Sequence, residues 1–191
     1  MPLIRETIVT SRSAAGAVHV APMGVTVLGE GRYLVAPFRP SRTLDNLLET
    51  GCAVINHTDD VRVFAGCVSG RRRDWPTVPA VRVAAPALAG ALSHEEVEVV
   101  AVEDDPERPR LTCQVRHVEA HRPATGFNRA QAAVIEAAIL ATRLHMLPPE
   151  KIDREIEYLT IAISKTAGAT EQEAWDWVMD AVARHRGTVA V

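Results

Sequence analysis

Aromatic side chains are scarce in this chain of 191 residues: three Trp, two Tyr and three Phe make up 4% of it. A stacking platform for single-stranded nucleic acid, or an aromatic cage around a cation, would be poorly supplied. An excess of one charge is missing too. The 21 Lys and Arg against 24 Asp and Glu leave a formal charge of −3, without the basic footprint that nucleic acid requires. Arg71, Arg72 and Arg73 form the one dense basic run, which reads as a solvated loop. Only three cysteines occur, Cys52, Cys67 and Cys113. No CxxC is present, so neither a zinc knuckle nor a dithiol redox motif is available. They read as reduced, small core hydrophobes. Long apolar runs are absent as well. Residues 130–147 are interrupted by Gln131, Glu136 and Arg143 and are too polar to span a bilayer, and the N-terminus lacks the apolar segment of a signal peptide. The expectation is a cytoplasmic protein without a nucleic-acid or membrane partner.

Familiar catalytic signatures are missing in turn: no GxxxxGK[ST], GxGxxG, GxSxG or HExxH occurs. His117 and His121 lie near the end of a predicted strand, where residues four apart stand about 13 Å from each other. They cannot share a metal without a bend and read as surface histidines. His19, His57, His94, His145 and His185 show no ligand-like spacing, so no metal site is expected. Asp59-Asp60 and Asp104-Asp105 read as turn or cap residues.

What is present suits a globular core. Hydrophobic residues are 47% of the chain, and its length fits one domain or a domain with a modest appendage. Residues 4–10, 17–21, 25–28 and 33–37 read as short strands, with Gly29-Glu30-Gly31 supplying the positive φ of a tight hairpin. Leu44, Leu47 and Leu48 then recur at helical spacing between an N-cap at Ser41 and a stop at Gly51. Residues 52–56 follow as a buried strand, and 59–67 as a short helix. Strands over 95–102 and 111–119 alternate clearly and flank a polar turn. Past Pro123 the pattern turns helical, over 128–146, 149–165 and 170–185, the last with Thr170 and Glu173 as a capping box. The long 128–146 helix carries an apolar stripe at Ala133, Ala137, Leu140 and Leu144. The fold class is α+β: an N-terminal antiparallel barrel with one inserted helix over residues 1–122, and a three-helix unit over 123–191 packed on it.

Two segments invite a ligand. At Phe38-Arg39-Pro40-Ser41-Arg42-Thr43 two arginines and two hydroxyls meet a helix N-terminus, whose free N–H groups and dipole favour an anion. The alternative is a simple cap with solvated arginines, and the segment alone does not separate the two. At His19-Val20-Ala21-Pro22-Met23-Gly24, proline and glycine read as a break in the β ladder. Such a break either frees backbone groups for a planar polar heterocycle or is a plain bend.

In order, the segments 6–10, 19–24, 38–47 and 54–60 resemble the FMN-binding split-barrel superfamily of flavin reductases and pyridoxamine-phosphate-oxidase-like proteins. More narrowly they are similar to a subgroup classed as a domain of unknown function, whose barrel is followed by a helical tail like 127–130, 136–139 and 141–144 here. The resemblance implies a homodimer of split barrels with one FMN per subunit near the dimer interface. Ser41, Arg42 and Thr43 would hold its phosphate, helped by Arg39. Val20, Ala21, Pro22, Met23 and Gly24 would line the isoalloxazine edge, and Thr10, Asn46 and Asn56 would complete the pocket. Glu6 and Arg143 match subgroup motifs; Arg143 is either a second phosphate ligand or the salt-bridge partner of Glu6. The implied function is a flavin-dependent oxidoreductase acting on a small molecule, with a pterin-like compound or a flavin/nicotinamide couple as the pointers. The alternative is a flavin-binding module without turnover, or a dimeric scaffold.

Overall fold

The computed structural model describes residues 2–189. Its chain divides into two compact units, one formed by residues up to Thr58 together with Asp74–Pro123, the other by Asp59–Arg73 and the chain from Ala124 onward.

The first unit is a closed antiparallel barrel in the order β1-β2-β3-β8-β7-β4. Its strands are β1 (Ile4–Arg12), β2 (Val18–Gly29), β3 (Arg32–Val35), β4 (Cys52–His57), β7 (Ser93–Glu103) and β8 (Arg110–Ala120), with a small pair of β5 (Thr77–Val78) and β6 (Ala87–Leu88). The turn between β2 and β3 has φ of 53° at Glu30 and 68° at Gly31, the doubly left-handed geometry that matches the twist of a hairpin. Alternation along the strands turns Val9, Val25, Tyr33, Val35, Ile55, Val97, Leu111 and Cys113 into one buried cluster. Helix α1 (Arg42–Thr50) adds Leu44 and Leu47 to it. Ser41 caps that helix by accepting from the Leu44 amide at 3.3 Å, and Gly51 ends it at φ 68°. Burial pushes the Cys113 thiol up to about 12.

One expectation about this barrel is corrected. The ladder is not broken at Pro22: β2 runs unbroken through it, with Pro22 opposite Ile8, Met23 opposite Thr7 and Gly24 opposite Glu6. Proline is tolerated because β3 pairs with β2 only from Thr26 onward, leaving the earlier part of β2 as a one-sided edge where a missing N–H costs little. Glycine at 24 makes room for β1, since an added Cβ would stand 3.1 Å from Ile4 Cγ2 and 3.3 Å from Glu6 Oε1.

The second unit joins α3 (Arg129–Ala141), α4 (Pro149–Thr166) and α5 (Ala169–Val189) to α2 (Arg62–Ser69), which departs from the chain between two barrel segments. Ala133 and Ala137 of the anticipated stripe are buried here with Val61 just before α2, Ala65 of α2, and Trp175 and Val178 of α5. Arg62 bridges Asp60 at 2.8 Å and Glu173 at 3.3 Å.

Two helix ends differ from the sequence reading. Helix α3 stops at Ala141 rather than 146, where the Thr142 hydroxyl donates to the Ile139 carbonyl at 2.7 Å, offering the backbone a local alternative to the next helical bond. Helix α5 begins one residue early, and the reaching carboxylate is Glu171, which accepts from the Gly168 amide at 3.0 Å. Glu173 therefore serves the ion pair with Arg62 and not a cap.

Candidate functional site

The N-terminus of α1 is built as an anion cradle. Ser41 stands in extended conformation, φ −154° and ψ 142°. Its carbonyl takes the Asp45 amide at 3.1 Å and its Oγ takes the Leu44 amide. That leaves the Arg42 and Thr43 amides without an acceptor among the described residues, two of the four orphan donors of a helix start. The Ser41 hydroxyl retains its own proton to donate, and the Arg42 guanidinium is exposed with no hydrogen-bond or ion-pair partner among the described residues. Thr43 is buried.

Arg39 does not join this group. Its Nη2 lies 2.6 Å from Asp104 Oδ1 and its Nε donates to the Asp105 carbonyl at 3.2 Å, tying the α1 approach to the tip of the β7–β8 hairpin. Arg108 strengthens that tie by donating to the Ala36 carbonyl at 2.7 Å and lying 4.7 Å from the Phe38 ring centroid.

The β2 segment from Val20 to Gly24 offers a second, neutral surface. On its inner side it is held by β1, with the Thr7 hydroxyl donating to the Met23 carbonyl at 2.8 Å. Its other edge carries no strand over residues 18–25 among the described residues. From Ala21 to Gly24 that edge faces no other strand, and no bend in β2 is needed to expose it.

Three further residues of the anticipated pocket bond inside the protein. Asn46 donates to Ser11 Oγ at 2.9 Å and so fastens α1 to β1. Asn56 is fully buried. Its Nδ2 donates to the carbonyls of Ile8 at 2.9 Å and Val54 at 3.2 Å and to Thr10 Oγ1 at 3.1 Å, while its Oδ1 accepts the Leu88 amide at 2.8 Å. Thr10 donates to the Pro86 carbonyl at 2.5 Å. Together they clamp the 86–88 segment against the barrel. Glu6 stands beside Gly24, opposite it in the ladder.

Sequence reasoning missed a polar cluster around Glu95. Glu95 Oε1 accepts from the Tyr33 hydroxyl at 2.8 Å and lies 3.2 Å from His57 Nε2. Burial alone would raise the Glu95 carboxyl, but hydrogen bonds from His57 and Tyr33 and the charges of His57 and Arg5 outweigh it and hold the group below its usual range. Burial, with the hydrogen bond to Glu95 and its charge, pushes the Tyr33 phenol up to about 12. No linear motif marks these residues, because the three strands meet only in the closed barrel. Tyr33→Phe removes a hydrogen bond to a charged group and is expected to cost about 1.5–3 kcal/mol of stability, read from the urea midpoint at unchanged slope. A variant within ~0.5 kcal/mol of the parent would show that this bond contributes little.

Comparison with known proteins now fixes the family. Residues 5–122 match the family model described as Protein of unknown function (DUF447) N-terminal domain, and residues 128–180 match that of Protein of unknown function (DUF447). The chain belongs to the DUF447 family. A solved FMN-bound DUF447 protein from Methanosarcina mazei superposes with a TM-score of 0.80 at 22% identity, over 95% of this chain and 96% of that one. The 2-nitrobenzoate 2-nitroreductase of Pseudomonas fluorescens matches at TM-score 0.55 and 19% identity, over 63% of this chain and 66% of its own. Flavoredoxin of Methanosarcina acetivorans matches at 0.53 and 17%, over 63% and 69%. The DUF447 chain thus has the fold of the FMN-binding split barrels. No helix among its described residues is long and apolar enough to cross a membrane.

Proposed function

We propose that this DUF447 protein binds FMN and acts as a flavin-dependent oxidoreductase on a small molecule, as a homodimer. The observation that carries the reading is the start of α1. Two unpartnered amides, the Ser41 hydroxyl and the free Arg42 guanidinium stand together on a barrel of the FMN-binding type. Helix-start amides and a guanidinium suit a phosphate monoester by charge and by geometry, and the FMN-bound family member from Methanosarcina mazei supports the choice of flavin. Ser41, Arg42 and Thr43 would hold the phosphate, and the β2 segment from Val20 to Gly24 would meet the polar rim of the ring system. Thr10, Asn46 and Asn56 support that wall from behind by fixing β1, α1 and β4 to one another. Bound there, FMN supplies hydride or electron transfer, and the protein supplies orientation and exclusion of water. A nicotinamide or a pterin-like compound is the proposed class of reaction partner.

The test is the visible spectrum of the freshly purified protein, mass analysis of what it releases on denaturation, and anaerobic mixing with NADH or NADPH. Released FMN and bleaching by a nicotinamide support the oxidoreductase. FMN that stays oxidised with both donors favours a flavin-binding module without turnover, and a protein that neither carries nor takes up FMN overturns the proposal.

A further inference from the structure

We propose that His94 and His121, with His117 beside them, form a binding site for one divalent metal ion of the zinc class on the β7–β8 hairpin. Residues two apart on a strand share a face, and the register places His94 opposite Glu119 and Glu96 opposite His117. His94 and Glu96 from β7, His117 and Glu119 from β8, and His121 just beyond its end therefore stand on one side of the hairpin. The spacing of His117 and His121 along β8 keeps those two apart, and the neighbouring strand fills the gap with His94. The His94 and His121 rings stack with centroids 5.0 Å apart, and the His117 ring centroid lies 6.3 Å from that of His94.

The orientation of His94 is set by its neighbours. The fully buried Glu96 carboxylate already accepts three backbone amides, from Val81 at 2.7 Å, Arg82 at 2.5 Å and Val83 at 3.0 Å. His94 Nε2 lies 3.5 Å from Glu96 Oε1, so Nε2 is turned to the carboxylate and Nδ1 away from it. A carboxylate behind a histidine in this way fixes tautomer and ring orientation and raises the basicity of the ligating nitrogen. His94 Nδ1 faces His121 Nε2 at 2.9 Å.

Two nitrogens on one zinc ion, each 2.0–2.1 Å from it at a tetrahedral angle, stand about 3.3–3.4 Å apart. The pair thus needs to open by only about half an ångström. His94 is 2% exposed and fixed, whereas His121 is exposed at the end of β8, so one partner is rigid and the other can adjust. Among the described residues no three such side chains converge on a point. The third position belongs to His117, reached by a rotamer change, and water completes the shell. Glu119, whose Oε2 lies 3.7 Å from His117 Nε2, adds negative charge that favours a cation.

The test is calorimetric titration of the full chain with Zn²⁺. Cys67→Ser is carried throughout, because that thiol is partly exposed. A single saturable site is expected, together with a zinc-dependent rise in melting temperature. His121→Gln is expected to weaken binding at least ~10-fold, the lower end of what losing even an outer-sphere partner costs, and to abolish the rise. The double variant His117→Ala/His121→Gln is expected to bind more weakly still, and flavin content should be the same in all. Absence of a saturable site, or equal affinity in parent and both variants, overturns the proposal and leaves the histidine pair as a hydrogen bond only.

Discussion

Replacing Ser41 and Arg42 together with alanine is expected to empty the protein of FMN while leaving the barrel folded. Each residue would give the phosphate one hydrogen bond to a charged group, about 1.5–3 kcal/mol apiece. Their loss together would raise the dissociation constant by roughly two to four orders of magnitude. The cost to the fold is smaller. Ser41 is the N-cap of α1, and cap loss costs about 1 kcal/mol, whereas Arg42 is exposed and has no partner to lose among the described residues. Arg42→Ala alone separates the two effects, since it removes charge and leaves the cap. Equilibrium dialysis against FMN, beside urea unfolding of the same samples, reads both quantities. Unchanged affinity in the double variant would remove the phosphate from this helix start.

Asn56→Ala is expected to act the other way, on stability first. The amide satisfies the Leu88 N–H and the Ile8 and Val54 carbonyls in the interior. Each buried group left without its partner costs about 1–3 kcal/mol, so a loss of at least ~3 kcal/mol is expected, seen as a lower urea midpoint. Flavin content should then follow the folded fraction. A variant of parental stability that no longer held FMN would make Asn56 a direct contact, the role the family resemblance implied for it.

These two positions mark how far the candidate site was legible. The cap at Ser41 and the helix start at Arg42 were readable because both are local features, encoded within a few residues. Thr10, Asn46 and Asn56 were placed in the same pocket by the family resemblance, since a small polar residue by itself signals only that its amide or hydroxyl needs a partner. Which partner it finds depends on the residues folded against it, here Pro86, Leu88 and Ser11. Arg39 illustrates the same limit: its neighbours in sequence suggested an anion, but the hairpin tip supplied Asp104.

Periodicity, caps and turn glycines in the sequence alone determined β1, β4, β7, β8, helix α1 and the helical character of the chain past Pro123. Those signals come from steric preferences and hydrogen bonds that span four residues or fewer. Only the tertiary structure decided that β2 continues through Pro22, that α2 belongs with the helical unit, that Tyr33, His57 and Glu95 meet, and that His94 comes between His117 and His121. Each of these depends on which strand or helix lies alongside. That choice is made by barrel closure and shared burial, which join residues dozens of positions apart and leave no local pattern in the chain.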